Sequence, residues 1–225
     1  MSDKSLTGSK GWSEKDETQF LKEIKNQSAD ALSSESEKLL SVVLADYADC
    51  PTGAPTNSTR AKLNLGEVAK VELYDLEHLS VGKVAPEIEG EDTVGNKIKL
   101  SDYRGKIVVL SFWASWCGPC MEMVPSEIHL AERMKGKPFA LVGVNGDAVR
   151  NDANHAIEKE KITWQSFWSK EGPEGSIPRI WNVPGWPTVY VLDQNGVIRF
   201  KGANINRINQ KVDQLVALFA EKISR

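Results

Sequence analysis

The sequence predicts an α/β fold, in which a mixed central sheet forms the middle of a three-layer sandwich and a helical extension precedes it. Residues 106–114, KIVVLSFWA, are β-branched and aromatic, which is typical of a strand buried on both faces. After residue 81, further strand-like runs alternate with amphipathic helical patterns, whereas only helical patterns occur before it. We therefore expect a helical N-terminal extension over residues 1–80 and an α/β domain over residues 81–225.

Composition and charge indicate which kinds of protein are disfavoured. Hydrophobic residues make up 40% of the 225-residue chain and the formal net charge is -3, which disfavours a nucleic-acid-binding protein. No apolar run approaches the roughly 18 residues that a membrane-spanning helix needs. The polar start MSDKSLTGSKGW also lacks the apolar centre of a secretion signal. The chain as given therefore suggests a cytoplasmic protein, whereas a trimmed leader would place it in the bacterial cell envelope.

Cysteine and histidine are both scarce. Three residues of each type are too few for a disulfide scaffold or a cysteine-rich zinc site. No histidine stands at a ligand-like spacing from Cys117 and Cys120, so we expect neither a metal nor any other cofactor. The third cysteine, Cys50, precedes a turn-rich segment and is interpreted as an incidental free thiol.

The extension carries two or three amphipathic helical patterns that need a partner surface. They occupy residues 13–34, 36–50 and 65–79, and the turn-rich segment PTGAPTNST, residues 51–59, predicts a loop. These helices are expected to pack on the following domain or to form a contact with a partner or a second copy of the chain.

The α/β domain shows the predicted order β-α-β-α-β-β-α. Asn195-Gly196 favours a type I′ turn in the clearest hairpin, and Asn151 or Asp152 is available to cap a helix. The predicted elements are a short strand within 95–106, the central strand 106–114, a helix over 118–135, a strand within 137–147, a helix over 151–162, a hairpin over 187–202 and a helix over 206–223.

Cys117 and Cys120 lie three residues apart between the central strand and the following helix. The first backbone N–H groups of a helix lack internal partners, and the helix dipole is positive at that end. A thiolate at Cys117 is therefore stabilised, and its pKa is expected to fall. Cys120 lies one turn further on, close enough for an internal disulfide. Pro119 suits the first turn, where its missing N–H costs little, and Gly118 leaves the approach to the sulfurs open.

The segment FWASWCGPC, residues 112–120, resembles the thioredoxin active-site motif. The longer segment LSDYRGKIVVLSFWASWCGPC, residues 100–120, more closely resembles the TlpA/ResA-like branch of the thiol–disulfide oxidoreductases, which are relatives of the peroxiredoxin (AhpC/TSA) superfamily. Pro125 and GWPTVYVLD at residues 185–193 agree with this resemblance, which extends over residues 82–220 and implies a thioredoxin-like fold.

The resemblance implies an enzyme that reduces or exchanges protein disulfides through a mixed disulfide. Cys117 attacks the substrate disulfide, and Cys120 then attacks Cys117, which releases reduced substrate and leaves an internal disulfide. The implied partners are a disulfide-containing protein substrate and an unidentified thiol reductant, with no nucleic acid and no membrane span. The residues expected to bind substrate are Trp116, Gly118, Pro119, Trp186 and Pro187.

Pro187 matches the cis-proline that faces the dithiol in the family. Trp186 precedes it, where family members often carry a small or aliphatic residue. Its indole is expected to form an apolar wall beside the disulfide and to favour substrates with apolar or aromatic residues next to their cysteine. The alternative is that Trp186 fills a gap against Trp116 and Trp181.

Two positions depart from the family patterns. Thioredoxins place a buried Asp six residues before the first cysteine as a proton acceptor, where this chain has Ser111. TlpA-like proteins often place a Glu three residues after the second cysteine, where it has Met123. Glu122 comes one step earlier and is turned by about 100° around the helix. The resemblance therefore leaves the proton acceptor for Cys120 unassigned.

Two other functions remain open. A peroxiredoxin-type thiol peroxidase has a Thr or Ser three residues before the attacking cysteine and a Pro seven before it, where this chain has Ala114 and Leu110. A thioredoxin-fold module that binds partners through its N-terminal helices is the other, although the intact dithiol disfavours binding as the whole function. Reduction of insulin disulfides and consumption of peroxide would separate the three.

Overall fold

A computed structural model of the protein describes residues 29–52 and 63–223. The apolar stripe around Phe20 in the first predicted helix and most of the loop predicted over 51–59 lie outside them. The described residues fall into two compact units that divide between Leu73 and Tyr74. The domain boundary predicted between residues 80 and 81 stays a prediction.

Six α-helices and seven β-strands lie in the described residues. The helices are α1 (Ala29–Asp46), α2 (Leu65–Tyr74), α3 (Gly118–Arg133), α4 (Arg150–Glu160), α5 (Ser176–Ile180) and α6 (Ile205–Ile223). The strands are β1 (Glu89–Glu91), β2 (Lys97–Lys99), β3 (Ile107–Trp113), β4 (Phe139–Asn145), β5 (Ser166–Trp168), β6 (Thr188–Leu192) and β7 (Ile198–Lys201). A π-helical turn, Asp75–Leu79, follows α2.

In the N-terminal unit, the segment after α1 approaches the start of α2 closely. The N–H of Gly66 donates to Ala48 O at 2.9 Å. A Cβ on Gly66 would lie 2.9 Å from the Ala48 Cα, so this approach requires a glycine. Asn64 and Glu67 cap α2 reciprocally: Glu67 N–H donates to Asn64 Oδ1 at 2.8 Å, and Asn64 N–H donates to Glu67 Oε2 at 2.9 Å.

The second unit contains the predicted mixed sheet. Its five strands lie in the order β5-β4-β3-β6-β7, with β3 parallel to β4 and antiparallel to β6. Helices α3, α4 and α6 contribute to the core on one face, and α5 and the π-helical turn contribute to the core on the other. All seven residues of β3 are therefore buried, and the predicted thioredoxin-like three-layer sandwich is confirmed.

Alternate residues of β3 enter separate cores, because successive side chains of a strand point to opposite faces of the sheet. Ile107 and Val109 pack in the core that also contains Cys117 and Cys120, which we call the disulfide core. Val108 and its alternate neighbours pack in the second core. The central strand thus contributes side chains to both cores, and the loop that leads to the disulfide begins at its carboxyl end.

The turn between β6 and β7 differs from the predicted type I′. Gly196 has a positive φ of 76°, but Asn195 does not, whereas a type I′ turn needs positive φ at both residues. The N–H of Gly196 donates to Asp193 O at 2.8 Å, and Asp193 Oδ1 accepts from the N–H groups of Asn195 and Val197. The Asp193 side chain therefore organises this turn and overrides the local preference of the Asn-Gly pair.

The start of α4 and several short elements also differ from the sequence prediction. Helix α4 begins at Arg150 and its N-cap is Val149, which offers no capping side chain. Asn151 and Asp152 consequently lie in its first turn and do not cap it. The sequence prediction missed β1, β5 and α5, because elements of three to five residues are too short to show a periodicity.

We expect a chain of residues 81–225 to keep its chemistry but to unfold more easily than one of residues 74–225. Leu79 is fully buried in the second core, and losing a buried leucine side chain costs about 2–5 kcal/mol. Urea unfolding of the two truncated chains measures the difference. Equal free energies of unfolding would contradict the role of Leu79, and a folded but inactive 81–225 chain would place part of the site in the extension.

Candidate active site

Cys117 and Cys120 form a disulfide where β3 leads into α3. Cys117 is the N-cap of α3, its Cα lies 5.2 Å from that of Cys120, and the N–H of Cys120 lies 3.2 Å from Cys117 Sγ. Pro119 occupies the first turn, as predicted, where it removes no helical hydrogen bond. The predicted strand-to-helix junction is therefore confirmed as the setting of the pair.

The two sulfurs differ in their surroundings. Cys120 is 1% exposed and Cys117 is 5% exposed, and the intervening Gly118 and Pro119 are both exposed. Trp116, the residue before Cys117, is 56% exposed. Exposed residues therefore flank Cys117 on both sides, whereas Cys120 is the more deeply buried of the two.

The Asp147 carboxylate holds the loop that precedes Cys117. Ser115 donates its N–H to Oδ2 at 3.0 Å and its hydroxyl to Oδ1 at 2.7 Å. The Asn145 side chain donates to Oδ2 at 2.7 Å, and the Trp168 indole N–H donates to the backbone O of Asp147 at 2.8 Å. A buried carboxylate with several donors is well satisfied. Asp147 therefore ties the loop to the end of the neighbouring parallel strand, β4.

The sequence prediction missed Asp147. The usable signal in the sequence was an acidic residue two positions after a strand-like run. Because that strand, β4, lies parallel to β3, Asp147 reaches the same edge of the sheet as the dithiol. The contact between Ser115 and Asp147 joins residues 32 positions apart, and no local pattern in the sequence reports it.

The peptide bond between Trp186 and Pro187 is cis, in agreement with the expectation from the resemblance. Phe112 pairs with Thr188 in the register of β3 and β6, so Pro187 lies next to the carboxyl end of β3. The dithiol loop begins at that end. The cis-proline and the disulfide therefore lie at the same edge of the sheet.

Trp186 is half-buried and packs among other aromatic rings. Its ring centroid lies 5.9 Å from that of Trp116 and 6.1 Å from that of Phe112. A Cβ on Gly146 would lie 2.5 Å from the Trp186 ring, so the indole lies directly against this glycine. Trp186 packs against the disulfide core and also against the second core, which contains Trp181. The contact with the exposed Trp116 agrees with an apolar wall beside the disulfide, and the packing against both cores agrees with a side chain that fills a gap in the core.

One buried carboxyl lies on the same face of α3 as Cys120. Glu127 is 3% exposed, and its Oε1 has no hydrogen-bond partner. Burial raises the pKa of Glu127 to about 7, and the nearby Ser111 hydroxyl only partly opposes that rise. Neither Ser111 Oγ nor Glu127 Oε1 reaches good hydrogen-bond geometry. The sequence prediction missed Glu127, although its place in the apolar stripe of α3 was a usable signal.

No group of three His, Cys, Asp or Glu side chains in the described part of the chain is arranged to hold a metal ion. No helix in residues 29–52 or 63–223 is long and apolar enough to cross a bilayer. Cys50 is an exposed free thiol in the N-terminal unit.

A disulfide at the N-terminus of a helix, on a five-stranded mixed sheet and at the same edge as a cis-proline, defines a thiol–disulfide oxidoreductase of the thioredoxin fold. Residues 81–201, more than half of the chain, match the model of the AhpC/TSA family. The chain belongs to this family.

Relatives and solved structures narrow the position within the family. Thioredoxin-like protein YneN of Bacillus subtilis is 32% identical over 121 residues, which cover 52% of this chain and 68% of YneN. Thiol-disulfide oxidoreductase ResA of Geobacillus kaustophilus is 29% identical over 121 residues, which cover 54% of this chain and 68% of ResA.

The thioredoxin domain of a thiol-disulfide oxidoreductase from Bacteroides vulgatus superposes with a TM-score of 0.57 at 28% identity, covering 61% of this chain and 98% of that domain. A thiol:disulfide interchange protein from Bacteroides sp. superposes with a TM-score of 0.56 at 29% identity, covering 61% and 91%. These similarities support a TlpA/ResA-like thiol–disulfide oxidoreductase.

Proposed function

We propose that this protein reduces or exchanges disulfides in other proteins through the Cys117–Cys120 pair. Cys117 attacks a substrate disulfide, one substrate thiolate leaves, and a mixed disulfide forms. Cys120 then attacks Cys117, the second substrate thiolate leaves, and an external thiol reductant later restores the dithiol. The observation that carries the proposal is the placement of the pair: an N-cap cysteine with exposed neighbours and a buried partner one turn away.

The start of α3 supports Cys117 as the attacking residue. In the oxidised protein, the Cys120 N–H already points at Cys117 Sγ from 3.2 Å. In the reduced protein, the same N–H and the positive end of the helix dipole stabilise a thiolate at Cys117. A stabilised thiolate is abundant at neutral pH and is also a good leaving group when Cys120 attacks.

The surface around Cys117 supports binding of an extended, partly apolar substrate segment. A Cβ on Gly118 would meet no atom within 4 Å, so the approach over Gly118 and Pro119 is open. The exposed Trp116 ring and the neighbouring Trp186 ring supply apolar area beside it. We infer that Pro187 and these residues together form the substrate-binding surface, with the backbone before Pro187 available to pair with a substrate strand.

Insulin reduction and peroxide consumption test the proposal together. With dithiothreitol as the reductant, the full-length protein should accelerate insulin reduction well above the uncatalysed rate. Hydrogen peroxide should be consumed no faster than by a double variant with both Cys117→Ser and Cys120→Ser. Faster peroxide than insulin turnover would favour a peroxidase, and no reaction with either substrate would leave a binding module as the function.

We predict that Trp186→Thr changes turnover of protein disulfides several-fold, and that it also lowers the melting temperature because the indole packs against both cores. The indole lies against Trp116 at the exposed side of the site, so its loss removes apolar contact area for a substrate. Turnover of glutathione disulfide provides the control, because this small polar substrate does not need that wall. Unchanged kinetics with a large fall in melting temperature would show that Trp186 only fills the core.

A further inference from the structure

We propose that Glu127 is the proton acceptor for Cys120 and that it acts through the Ser111 hydroxyl. The inference rests on the proposed function and deepens it. A thiol must lose its proton before it attacks a disulfide, because the thiolate is the nucleophile. Cys120 is almost completely buried, so bulk water is poorly placed to take that proton. A protein group that faces the same core is therefore required.

The elements around Glu127 offer few alternatives. Helix α6 and strands β3, β4 and β6 contribute Val109, Leu141, Val189, Ile208 and Val212 to the disulfide core, and all of these are apolar. The buried titratable groups described on this face are Cys117, Cys120 and Glu127. The buried Asp147 carboxylate, beyond the end of β4, already accepts hydrogen bonds from Ser115 and Asn145. His129 and Glu122 of the same helix are exposed. Glu127 is thus the carboxyl available to a buried Cys120.

Helix geometry brings Glu127 towards Cys120. The buried residues of α3 form one stripe, Cys120, Met123, Val124, Glu127 and Leu130. Seven residues along a helix separate the Cα atoms of Cys120 and Glu127 by about 10 Å. Helical side chains lean towards the N-terminus, so the long Glu127 side chain reaches back towards the disulfide and closes part of that gap.

Ser111 supplies the remaining link. It lies on β3 between Val109 and Trp113, and alternation places its side chain on the face that carries the disulfide core. Its hydroxyl is fully buried without a hydrogen-bond partner, as is one oxygen of Glu127. Buried polar atoms are rarely left unpaired without a reason. A hydroxyl can accept one proton while it donates another, which suits a relay.

The proposed step balances in atoms and electrons. The Cys120 thiol gives its proton to Ser111 Oγ, and the Ser111 proton passes to the Glu127 carboxylate. The Cys120 sulfur bonds to the Cys117 sulfur while the bond from Cys117 to the substrate sulfur breaks. The substrate leaves as a thiolate and takes a proton from water, so the substrate is reduced and the cysteine pair is oxidised. Burial favours the neutral Glu127 that results, consistent with its pKa of about 7.

Stopped-flow kinetics with the full-length protein can separate this step from the first attack. Dithionitrobenzoate, an aromatic disulfide, releases one coloured thiolate when Cys117 attacks and a second when Cys120 resolves the mixed disulfide. Wild type, Glu127→Gln and Ser111→Ala are compared with Glu122→Gln, a matched control at an exposed position of α3. All four proteins carry Cys50→Ser, because the exposed Cys50 thiol would otherwise release a coloured thiolate of its own.

The first release should be similar in all four proteins. At pH 7 the second release should slow by about 10²-fold in Glu127→Gln, at the lower end of the usual contribution of general-base catalysis. It should slow in Ser111→Ala as well and remain unchanged in Glu122→Gln. In wild type the second release should rise with pH and level off once Glu127 is ionised, and Glu127→Gln should lose this feature.

Each outcome has one meaning. An unchanged second release and pH profile in Glu127→Gln overturns the proton-acceptor role. An absent first release in wild type instead refutes the proposed function. If Glu127→Gln does not fold, Glu127→Asp is measured: it should keep the levelling of the pH profile with a slower second release, and a wild-type rate for it overturns the proposal.

Discussion

Replacing Cys117 with serine should reduce insulin turnover to the uncatalysed rate, because a serine hydroxyl cannot replace the thiolate that starts the exchange. Replacing Cys120 with serine should have a different effect. Attack by Cys117 proceeds, but resolution is blocked, so substrate chains accumulate as mixed disulfides on Cys117. Mass spectrometry of the Cys120→Ser protein after exposure to insulin measures these adducts directly and locates the modified cysteine.

Cys50→Ser is the matched control for this pair of variants, since Cys50 is an exposed free thiol in the N-terminal unit. It should keep full insulin turnover and should trap no substrate. An equal yield of adducts from Cys117→Ser would reverse the assigned roles. Adducts found on Cys50 would show that thiol exposure alone explains the trapping.

Glu127→Gln should gain stability relative to wild type as the pH rises, by about 3 kcal/mol at pH 8. Burial raises the pKa of Glu127 from 4.5 to about 7, so the folded protein holds this proton more tightly than the unfolded chain does. The stability linked to this proton is fully present below pH 4.5 and is lost as the pH rises through about 7. Glutamine does not ionise and avoids the loss.

Urea unfolding of wild type, Glu127→Gln and Glu122→Gln across this pH range measures the effect. The pH-dependent part of the difference isolates ionisation from any change in packing that the amide introduces. Glu122→Gln should follow wild type, because Glu122 is exposed. A stability difference that does not vary with pH would contradict the raised pKa. In the expected outcome, wild type is less stable than Glu127→Gln at high pH but resolves the mixed disulfide faster. The ionisable carboxyl then trades stability for activity.

The central strand and the cysteine pair were predictable because their signals are local. The run at residues 106–114 became β3, and the Trp-Cys-Gly-Pro-Cys motif became the disulfide at the start of α3. Strand propensity acts over neighbouring residues, and the first turn of a helix alone sets the distance between Cys117 and Cys120. The family resemblance added the cis bond at Pro187, which no local propensity indicates.

Two buried carboxyl groups near the disulfide, Asp147 and Glu127, were missed for different physical reasons. Asp147 contacts Ser115 only because parallel strands bring their carboxyl ends together, so the contact depends on the tertiary fold. Glu127 was visible as the acidic member of an apolar helical stripe, but a stripe does not show how deeply its members are buried. Because Ser111 and Met123 stand where the family patterns have carboxylates, the sequence left the proton acceptor for Cys120 unassigned.

Alkylation of reduced Cys117 by iodoacetamide as a function of pH tests the dithiol mechanism most directly. Cys50→Ser serves as the background, so that only the two site cysteines react. We predict that Cys117 is alkylated before Cys120 and that its reactivity titrates clearly below the free-cysteine pKa of about 8.5, because the helix N-terminus stabilises its thiolate. A titration at or above that value, or earlier alkylation of Cys120, would contradict the assignment of Cys117 as the attacking residue.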